Sequence, residues 1–578
     1  MFKLILSETV VAFVLLTLAA LTIYYVWARI VDSKPLSGIP SVTVWSSAGF
    51  NVLPKTAPTA PESEQIMGWL ERKCIELDTP ILQIRTGLPG KPNLVVADSV
   101  ETQRILSNRL HEFDRTRFLA ASFLALMPYN HMTMPTNDEW RANRRLIAET
   151  MSPRFLNHHA AHYMHKSTLE YIDLLLEKEK KSAGRPFEVL ADTFGVMLDG
   201  IVGSTFGTDS GAVKRQLEFI KDFDGVVPID DSRGFANLPR TPDPPLLDAL
   251  ILLMWSLHIP THPLGGPFFH KIAMRFVPRY RDALALVRSY LDNSIKKAEK
   301  KRQSLSEKGE LESPTGVDLI VKREIELAKS QDRTPDLHGG LLRDELFGIL
   351  FGYDVLAIMA IWGMKILTAY QDIQQRLRAE VKSTFPEAAT AGTVPSAEDI
   401  ATTSTPYLDA VYEEMLRCVG STPALVRTTT QDVNLMNHHI PKGTTVFLLT
   451  RGRSYTHRST DDPNVGEKGT SDASRDVWTG NWSSEGLSRF DPERWLTLDS
   501  DGRKRFNARA GPRHMLGTGV RACFGQKQAT SVMRIFFTLV VWKLELRPIP
   551  ADLGRFERAD AAFVYRAKEV YLSPQAVA

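Results

Sequence analysis

The sequence predicts a mainly α-helical protein with small β-sheets, behind a single N-terminal transmembrane helix. Three observations predict it: long stretches with apolar residues at helical spacing, a few short β-branched runs near the two ends of the chain, and an uncharged apolar segment at the N-terminus. With 578 residues the chain is long enough for a large core or for two or three ordinary domains. It is 43% hydrophobic and 24% charged, and its formal net charge of +3 does not mark it as a nucleic-acid binder.

The N-terminal run "TVVAFVLLTLAALTIYYVW", Thr9 to Trp27, carries no charge. Extended back over Leu4 to Leu6, it reaches the roughly twenty residues a membrane helix needs. Tyr24, Tyr25 and Trp27 make an aromatic belt at its far end, and Arg29 and Lys34 follow, against Lys3 and Glu8 before it. The slight positive bias puts the body of the protein on the cytosolic side. A cleaved signal peptide is the rival, but its apolar run should be shorter and end in small residues. Residues 4–28 are therefore read as a retained anchor. Residues 29–60 are a linker and entry segment, stiffened by Pro35, Gly38 and Pro40. Residues 61–578 contain no convincing linker and no internal repeat, and are read as one large domain.

Within it, "RRLIAETMSPRFL", "LEYIDLLLEKEKKSA", "ALALVRSYLDNSIKKAEKKR", "LLRDELFGILFGYDVLAIMAIWGMKIL" and "IQQRLRAEVKSTF" suit helices. "PILQIRTG" and "PNLVVAD" form a candidate strand pair, and "ALVRTTTQDV", "HHIPKGTTVFLL" and "EVYLSP" supply later strands. Lys300–Gly316 and Ser459–Asp476 are polar insertions that read as surface loops. "PPLLDALILLMWSLHIP", Pro244 to Pro260, is too short to span a bilayer; it is either a buried core helix or an interfacial patch.

Three scattered cysteines, Cys74, Cys418 and Cys523, make neither a disulfide framework nor a Cys-x-x-Cys zinc pair. Cys74 and Cys418 read as small buried hydrophobes. Cys523 stands between glycines in "HMLGTGVRACFGQ", just before the candidate helix "QKQATSVMRIFFTLVVWKL". Glycines let backbone amides approach the sulfur, and both those amides and the helix N-terminus favour a thiolate. Arg521 adds a cation for an acidic group. A nucleophile and a metal ligand, including a haem ligand, stay open on these residues alone. His158, His162 and His165 lie at helical spacing, but no acid partner or His-Glu-x-x-His pattern joins them, so a metal site is not expected there. No Walker or Rossmann glycine loop is present.

Four motifs in order resolve the cysteine. Gly519-x-Arg521-x-Cys523-x-Gly525 resembles the haem-binding loop of the cytochrome P-450 superfamily. "YLDAVYEEMLR" supplies that family's Glu-x-x-Arg as Glu414 and Arg417. "FDPERWL" supplies its later arginine as Arg494, and "DEWRANRRL" supplies its Trp-x-x-x-Arg as Trp140 and Arg144. The resemblance covers nearly the whole chain and is closest to microsomal-type members of fungal secondary metabolism. It implies the cytochrome P-450 fold and haem b (iron protoporphyrin IX). Cys523 would be the axial ligand of the haem iron, and Arg521, Arg144, Trp140 and Arg427 would satisfy the propionates. Gly519 and Gly525 would shape the loop, and a Glu414–Arg417–Arg494 set would lock it.

Two departures stand out. Leu516 replaces the phenylalanine that usually opens the cysteine loop, which implies altered packing near the sulfur. On the long helix above the haem, "FGYDVL" keeps Gly352 and Asp354 as catalytic candidates, but Val355 and Leu356 replace the hydroxyl residues that help deliver protons to dioxygen. Phe351 should crowd that side. Three readings stay open: a substrate hydroxyl or ordered water replaces the threonine, proton delivery is rerouted in a partly uncoupled oxygenase, or the haem serves a rearrangement or dehydration.

The expectation is a haem-thiolate monooxygenase on the endoplasmic reticulum membrane, single-pass, with its catalytic domain in the cytosol. It would insert one oxygen atom from O2 into a bulky lipophilic terpenoid, polyketide or alkaloid. NADPH would act through a separate NADPH–cytochrome P-450 reductase, with cytochrome b5 as a further partner, because the chain has no flavin or nicotinamide motif. Substrate contacts are expected from Arg115 to Met134, the Asp354 helix, and "CVGSTPALV". The alternatives are a haem-thiolate isomerase or dehydratase, and a non-catalytic haem-binding protein.

Overall fold

The computed structural model describes residues 19, 22–23, 35–43, 66–85, 91–260, 266–304, 311, 313–456, 486–556, 558–559 and 564–577. The anchor of residues 4–28, most of the 29–60 segment and the Ser459–Asp476 insertion lie outside that set.

Helices dominate, as the periodicities predict. Ala161–Lys181, Leu190–Phe206, Pro278–Gln303, Leu341–Ala369 and Gln526–Lys543 pack into one continuous apolar core. Leu341–Ala369 runs through its middle. This 29-residue helix is rich in Leu, Ile, Ala and Met, strong helix formers apart from the β-branched isoleucines, and it starts after Gly340 at φ 101°. At ~1.5 Å per residue it is long enough to cross the whole domain. It is also the described helix apolar and long enough to cross a membrane, but it is mostly buried inside the protein and serves as a core helix.

Two sequence readings need correction. "RRLIAETMSPRFL" is not one helix. Asp138–Ile147 gives way to a 3₁₀ turn at Ala148–Met151, because Pro153 cannot continue the ladder. Ser152 then starts a new turn, its Oγ accepting from the Phe155 amide at 3.2 Å, with Pro153 at the first helical position. "ALVRTTTQDV" divides into strands Ala424–Thr429 and Val433–Leu435. The latter pairs antiparallel with His438–Ile440 across a two-residue turn, Met436 and Asn437, at φ 50° and 66°.

The largest sheet has six strands, ordered Ser41–Thr43, Ile81–Arg85, Asn93–Val96, Thr445–Leu449, Ala424–Thr429, Phe113–Arg115. The expected early pair is antiparallel, with Ile81 opposite Val96. At the far edge, Phe113–Arg115 pairs antiparallel with Ala424–Thr429, which sets Arg115 directly opposite Arg427. A four-stranded sheet joins Tyr571–Leu572, Phe187–Glu188, Phe235–Ala236 and Ile229–Asp230, and a short hairpin pairs Arg558–Ala559 with Arg566–Ala567.

The Pro244–Pro260 segment folds as helix Pro245–Ser256, with Leu247, Leu250 and Leu253 buried in the core. Trp255 on this helix is exposed, and further exposed apolar side chains lie on the next helix, Gly266–Phe276, where Phe268, Phe269 and Phe276 are largely exposed.

The central helix meets the helix that follows the cysteine loop at Gly363. A Cβ there would fall 2.1 Å from Phe537 Cζ and 3.0 Å from Met415 Sδ, both in the core. Gly363→Ala should therefore lower stability by about 1–3 kcal/mol in chemical denaturation, although alanine is the better helix former. An unchanged or raised denaturation midpoint would show that the two helices separate freely.

Candidate active site

A cavity of about 380 Å³ lies between the central helix and the loop that carries Cys523. The loop is shaped by two tight turns. Gly517 and Gly519 adopt φ 72° and 70°, and a Cβ on Gly519 would fall 2.3 Å from the Leu106 carbonyl oxygen. The Cys523 amide donates to the Leu516 carbonyl at 2.8 Å, and helix Gln526–Lys543 begins directly after Gly525, which closes the loop beyond Phe524.

Cys523 is open toward this interior cavity, while protein atoms crowd the rest of its surroundings. Burial therefore raises its thiol pKa above the ordinary 9.0, although the Gly525 amide, Arg144 and Arg115 work in the opposite direction. The sequence-based expectation of a lowered pKa is corrected here. Desolvation outweighs the Gly525 amide and the two cations together.

Around the sulfur, the structure gathers the sequence-predicted Trp140, Arg144, Arg427 and Arg521, all of which line the cavity. Asn137 caps the helix that presents the first two, accepting from the Trp140 amide at 2.9 Å. Trp140 is buried, with the Arg521 guanidinium 4.5 Å and the Arg144 guanidinium 5.2 Å from its ring. Arg144 donates to the Val520 and Ala522 carbonyls at 3.3 and 3.2 Å, tying its helix to the cysteine loop. Arg521 Nη2 donates to the Met134 carbonyl at 2.9 Å, while its Nη1 is buried without a hydrogen-bond partner.

Sequence reasoning missed a further cation, Arg115. It sits in the segment read as substrate-contacting, and only the strand register sets it opposite Arg427. Among the described residues, no carboxylate makes an ion pair with Arg115, Arg144, Arg427 or Arg521. Burial, then the neighbouring arginines, bring Arg115 and Arg427 down to about 10 and Arg521 to about 9. Like charges set opposite one another in a sheet and partly desolvated are destabilising by themselves. They make sense as a receptor for a multiply charged anion at the edge of the cavity.

Glu414, Arg417 and Arg494 meet as expected. Arg417 donates to both Glu414 oxygens at 2.7 Å, with both side chains fully buried, and Arg494 Nε donates to Glu414 Oε1 at 2.9 Å. Two donors were not anticipated: Trp495 Nε1 and the Asp491 amide, each 2.9 Å from Glu414. Arg417 also reaches the Tyr455, Leu487 and Arg489 carbonyls at 2.5, 2.9 and 3.1 Å.

Opposite the cysteine, the central helix presents Gly352, Asp354, Val355 and the largely buried Phe351. A Cβ on Gly352 would meet nothing within 4 Å, so the helix is open to the cavity there. Asp354 is buried and pairs with Arg566, another cavity residue that no sequence motif singles out. The three predicted substrate segments all contribute walls, through Phe123 and Met132, through Ile349, and through Thr422 and Leu425; Met254, Trp255 and His258 add a fourth. His158 instead faces Glu398 at 3.1 Å, and His165 faces the Pro395 carbonyl at 3.0 Å.

Comparisons with known proteins agree with this geometry. Residues 72–458 match the family described as Cytochrome P450. The chain is 30% identical over 567 residues to cytochrome P450 monooxygenase GME11363 of Pestalotiopsis microspora, covering 97% of each. It is 29% identical to cytochrome P450 monooxygenase TRI13 of Fusarium sporotrichioides, covering 94% of this chain and 95% of that one. A crystal structure of a cytochrome P450 (CYP102L1) shares the fold with a TM-score of 0.63 at 15% identity, covering 94% of this chain and all of that one.

Glu414→Ala would leave the Arg417 guanidinium buried without its carboxylate. The expected cost is about 3–5 kcal/mol of stability, read by denaturant titration. A loss below 1 kcal/mol would mean that the cysteine loop is held by other contacts.

Proposed function

This chain belongs to the cytochrome P450 family and is a P450 monooxygenase; from that premise we propose that it inserts one oxygen atom from O2 into a bulky lipophilic molecule of the terpenoid, polyketide or alkaloid type, in a fungal secondary-metabolite pathway. The observation that carries the proposal is the meeting, in one largely apolar cavity, of the Cys523 sulfur with four arginines that make no ion pair with a carboxylate among the described residues.

The residues fit the family's haem. Cys523 offers a sulfur ligand, and Arg521 Nη1 is a buried donor without an acceptor. The like-charged Arg115 and Arg427 face each other across their strands. Two propionates would supply the charge that this cluster lacks. Bound through a thiolate, haem b supplies the redox centre that uses O2 and two electrons and favours O–O cleavage. The protein's own work is to bind, orient and exclude water. Arg115, Arg144, Arg427, Arg521 and the Trp140 face hold the acidic edge, while the Glu414 set keeps the cysteine loop in register. Phe123, Met254, Trp255 and Met359 give the substrate side an apolar wall. Val355 has no hydroxyl with which to hold a proton on that side.

Electrons would come from a separate NADPH–cytochrome P-450 reductase, with cytochrome b5 as a second donor, docking on the Cys523 side. The chain carries no flavin or nicotinamide motif that would replace them. We place the protein on the endoplasmic reticulum membrane with its catalytic domain in the cytosol. Support comes from the uncharged Thr9–Trp27 run and from the exposed Phe268, Phe269, Ile272 and Phe276. Val355 alone favours a second reading, a haem-thiolate isomerase or dehydratase. With the true substrate, NADPH and O2 consumption matched to product supports the oxygenase, and turnover without reductase would sink it.

Cys523→Ala should abolish the red-shifted Soret band of the reduced carbon monoxide complex; survival of that band would overturn the ligand assignment. A proton balance tests the same residue. Below its raised pKa the apo thiol is protonated, and ligation requires the thiolate. Loading apo-protein with haem at about pH 8 should therefore release about one proton per site in weakly buffered solution. Release of none would mean that the thiol is already ionised.

A further inference from the structure

The substrate side of the cavity is largely apolar, but besides the close His131–Glu345 contact and His258 it carries an aspartate–arginine ion pair. Arg566 opens the strand Arg566–Ala567 and reaches inward, so that its Nη2 donates to Asp354 Oδ1 on the central helix. Its guanidinium lies 5.3 Å from the Phe194 ring and 5.5 Å from the Trp255 ring, which fix its plane. The arginine side chain is 13% exposed and the aspartate side chain 1%. Both residues line the cavity.

The pair is only half satisfied. Asp354 Oδ2 and Arg566 Nε are each buried without a hydrogen-bond partner. Each orphan carries a desolvation cost, and so does an ion pair set among apolar walls. A few polar groups left unsatisfied in an apolar cavity are what orient a ligand. What they accept follows from their chemistry. Asp354 Oδ2 needs a donor and Arg566 Nε needs an acceptor. A ketone or ether serves only the arginine, and an amine serves only the aspartate. A carboxylate meets the arginine but is repelled by Asp354. A hydroxyl serves both, since its O–H donates to Oδ2 while its lone pair accepts from Nε. The Nη2–Oδ1 contact holds the two side chains that carry the orphaned atoms against each other. The hydroxyl would then lie beside Val355, the position on this helix that has no oxygen of its own.

We propose that the Asp354–Arg566 pair is the specificity-determining contact for a hydroxyl group on the substrate, so that this enzyme acts on lipophilic alcohols already oxygenated by an earlier step. The inference rests on the monooxygenase reading with a lipophilic substrate. It places the protein after a reaction that installs a hydroxyl, such as a prior hydroxylation, a ketone reduction or a water-quenched cyclisation.

The test uses the full-length haem-loaded protein in lipid nanodiscs and two frameworks, farnesyl and decalin. Each is supplied as the alcohol, its methyl ether and the parent hydrocarbon. Binding is read both by perturbation of the Soret band and by titration calorimetry. On the better-fitting framework the alcohol should bind ~10-fold or more tightly than its ether and hydrocarbon. Arg566→Leu and Asp354→Leu should each bring that ratio to about 1, and Arg566→Lys, which keeps a cationic donor, should retain part of it. An unchanged carbon monoxide spectrum certifies that a variant is folded; where a leucine variant fails this check, Arg566→Gln and Asp354→Asn replace it, with the same reduced ratio expected. Equal binding of alcohol and hydrocarbon by the unaltered protein would overturn the inference, because water would then satisfy the pair. A preference that survives Arg566→Leu or Arg566→Gln would overturn it too, by placing the hydroxyl elsewhere. Binding of no member of either series would overturn the lipophilic-substrate reading and this inference with it.

Discussion

Much of this structure depends on one buried carboxylate. Glu414 accepts from Arg417 on its own helix, from Arg494 and Trp495 on the Pro492–Trp495 turn, and from the Asp491 amide between them. A carboxylate stripped of water is costly unless its lone pairs are taken, and here five hydrogen bonds take them. Because the donors come from segments far apart in the chain, satisfying one charge fixes where those segments lie. Arg417 extends the constraint to the Tyr455, Leu487 and Arg489 carbonyls, and Tyr455 reaches His514, at the head of the cysteine loop, at 2.5 Å. Burial drives the His514 pKa down to about 3, so the imidazole stays neutral and acts as a fixed hydrogen-bonding link.

From that fixed loop the site is built out of unfavourable terms. The Cys523 thiol has a raised pKa, and four arginines crowd one cavity edge, where burial and then neighbouring arginines lower the pKa of Arg115, Arg427 and Arg521. None of this stabilises the fold by itself. The contacts that hold the cluster are neutral ones: the Met134, Val520 and Ala522 carbonyls and the Trp140 face. Preorganised cations that make no ion pair with a carboxylate among the described residues are the electrostatic signature of a receptor for an acidic cofactor, and the stability they forgo would be recovered when that cofactor binds.

The opposite wall follows a different logic. It is largely apolar, and its Asp354–Arg566 pair joins the central helix to the C-terminal hairpin. Burial raises the Asp354 pKa while Arg566 works against it. With Val355 in place of a hydroxyl residue, this wall sets two buried polar atoms without a hydrogen-bond partner, Asp354 Oδ2 and Arg566 Nε, on side chains from distant parts of the sequence.

The sequence by itself determined the helical class, the early strand pair, the cysteine loop and the Glu414–Arg417–Arg494 set. These are local patterns, periodicity, glycine spacing and residues one helical turn apart, that physical chemistry reads without a fold. It left the two halves of "RRLIAETMSPRFL" joined, because the competition between propensity and Pro153 is settled only in the packed chain. It also gave the wrong sign for the Cys523 thiol, since desolvation is a property of the surroundings and not of the loop. Arg115 and Arg566 could be found only in three dimensions. One acquires its role from a strand register that sets it opposite Arg427, the other from a hairpin 212 residues beyond Asp354 in sequence. Side-chain identity is written in the chain, but the partner that gives a buried charge its meaning is chosen by the tertiary fold.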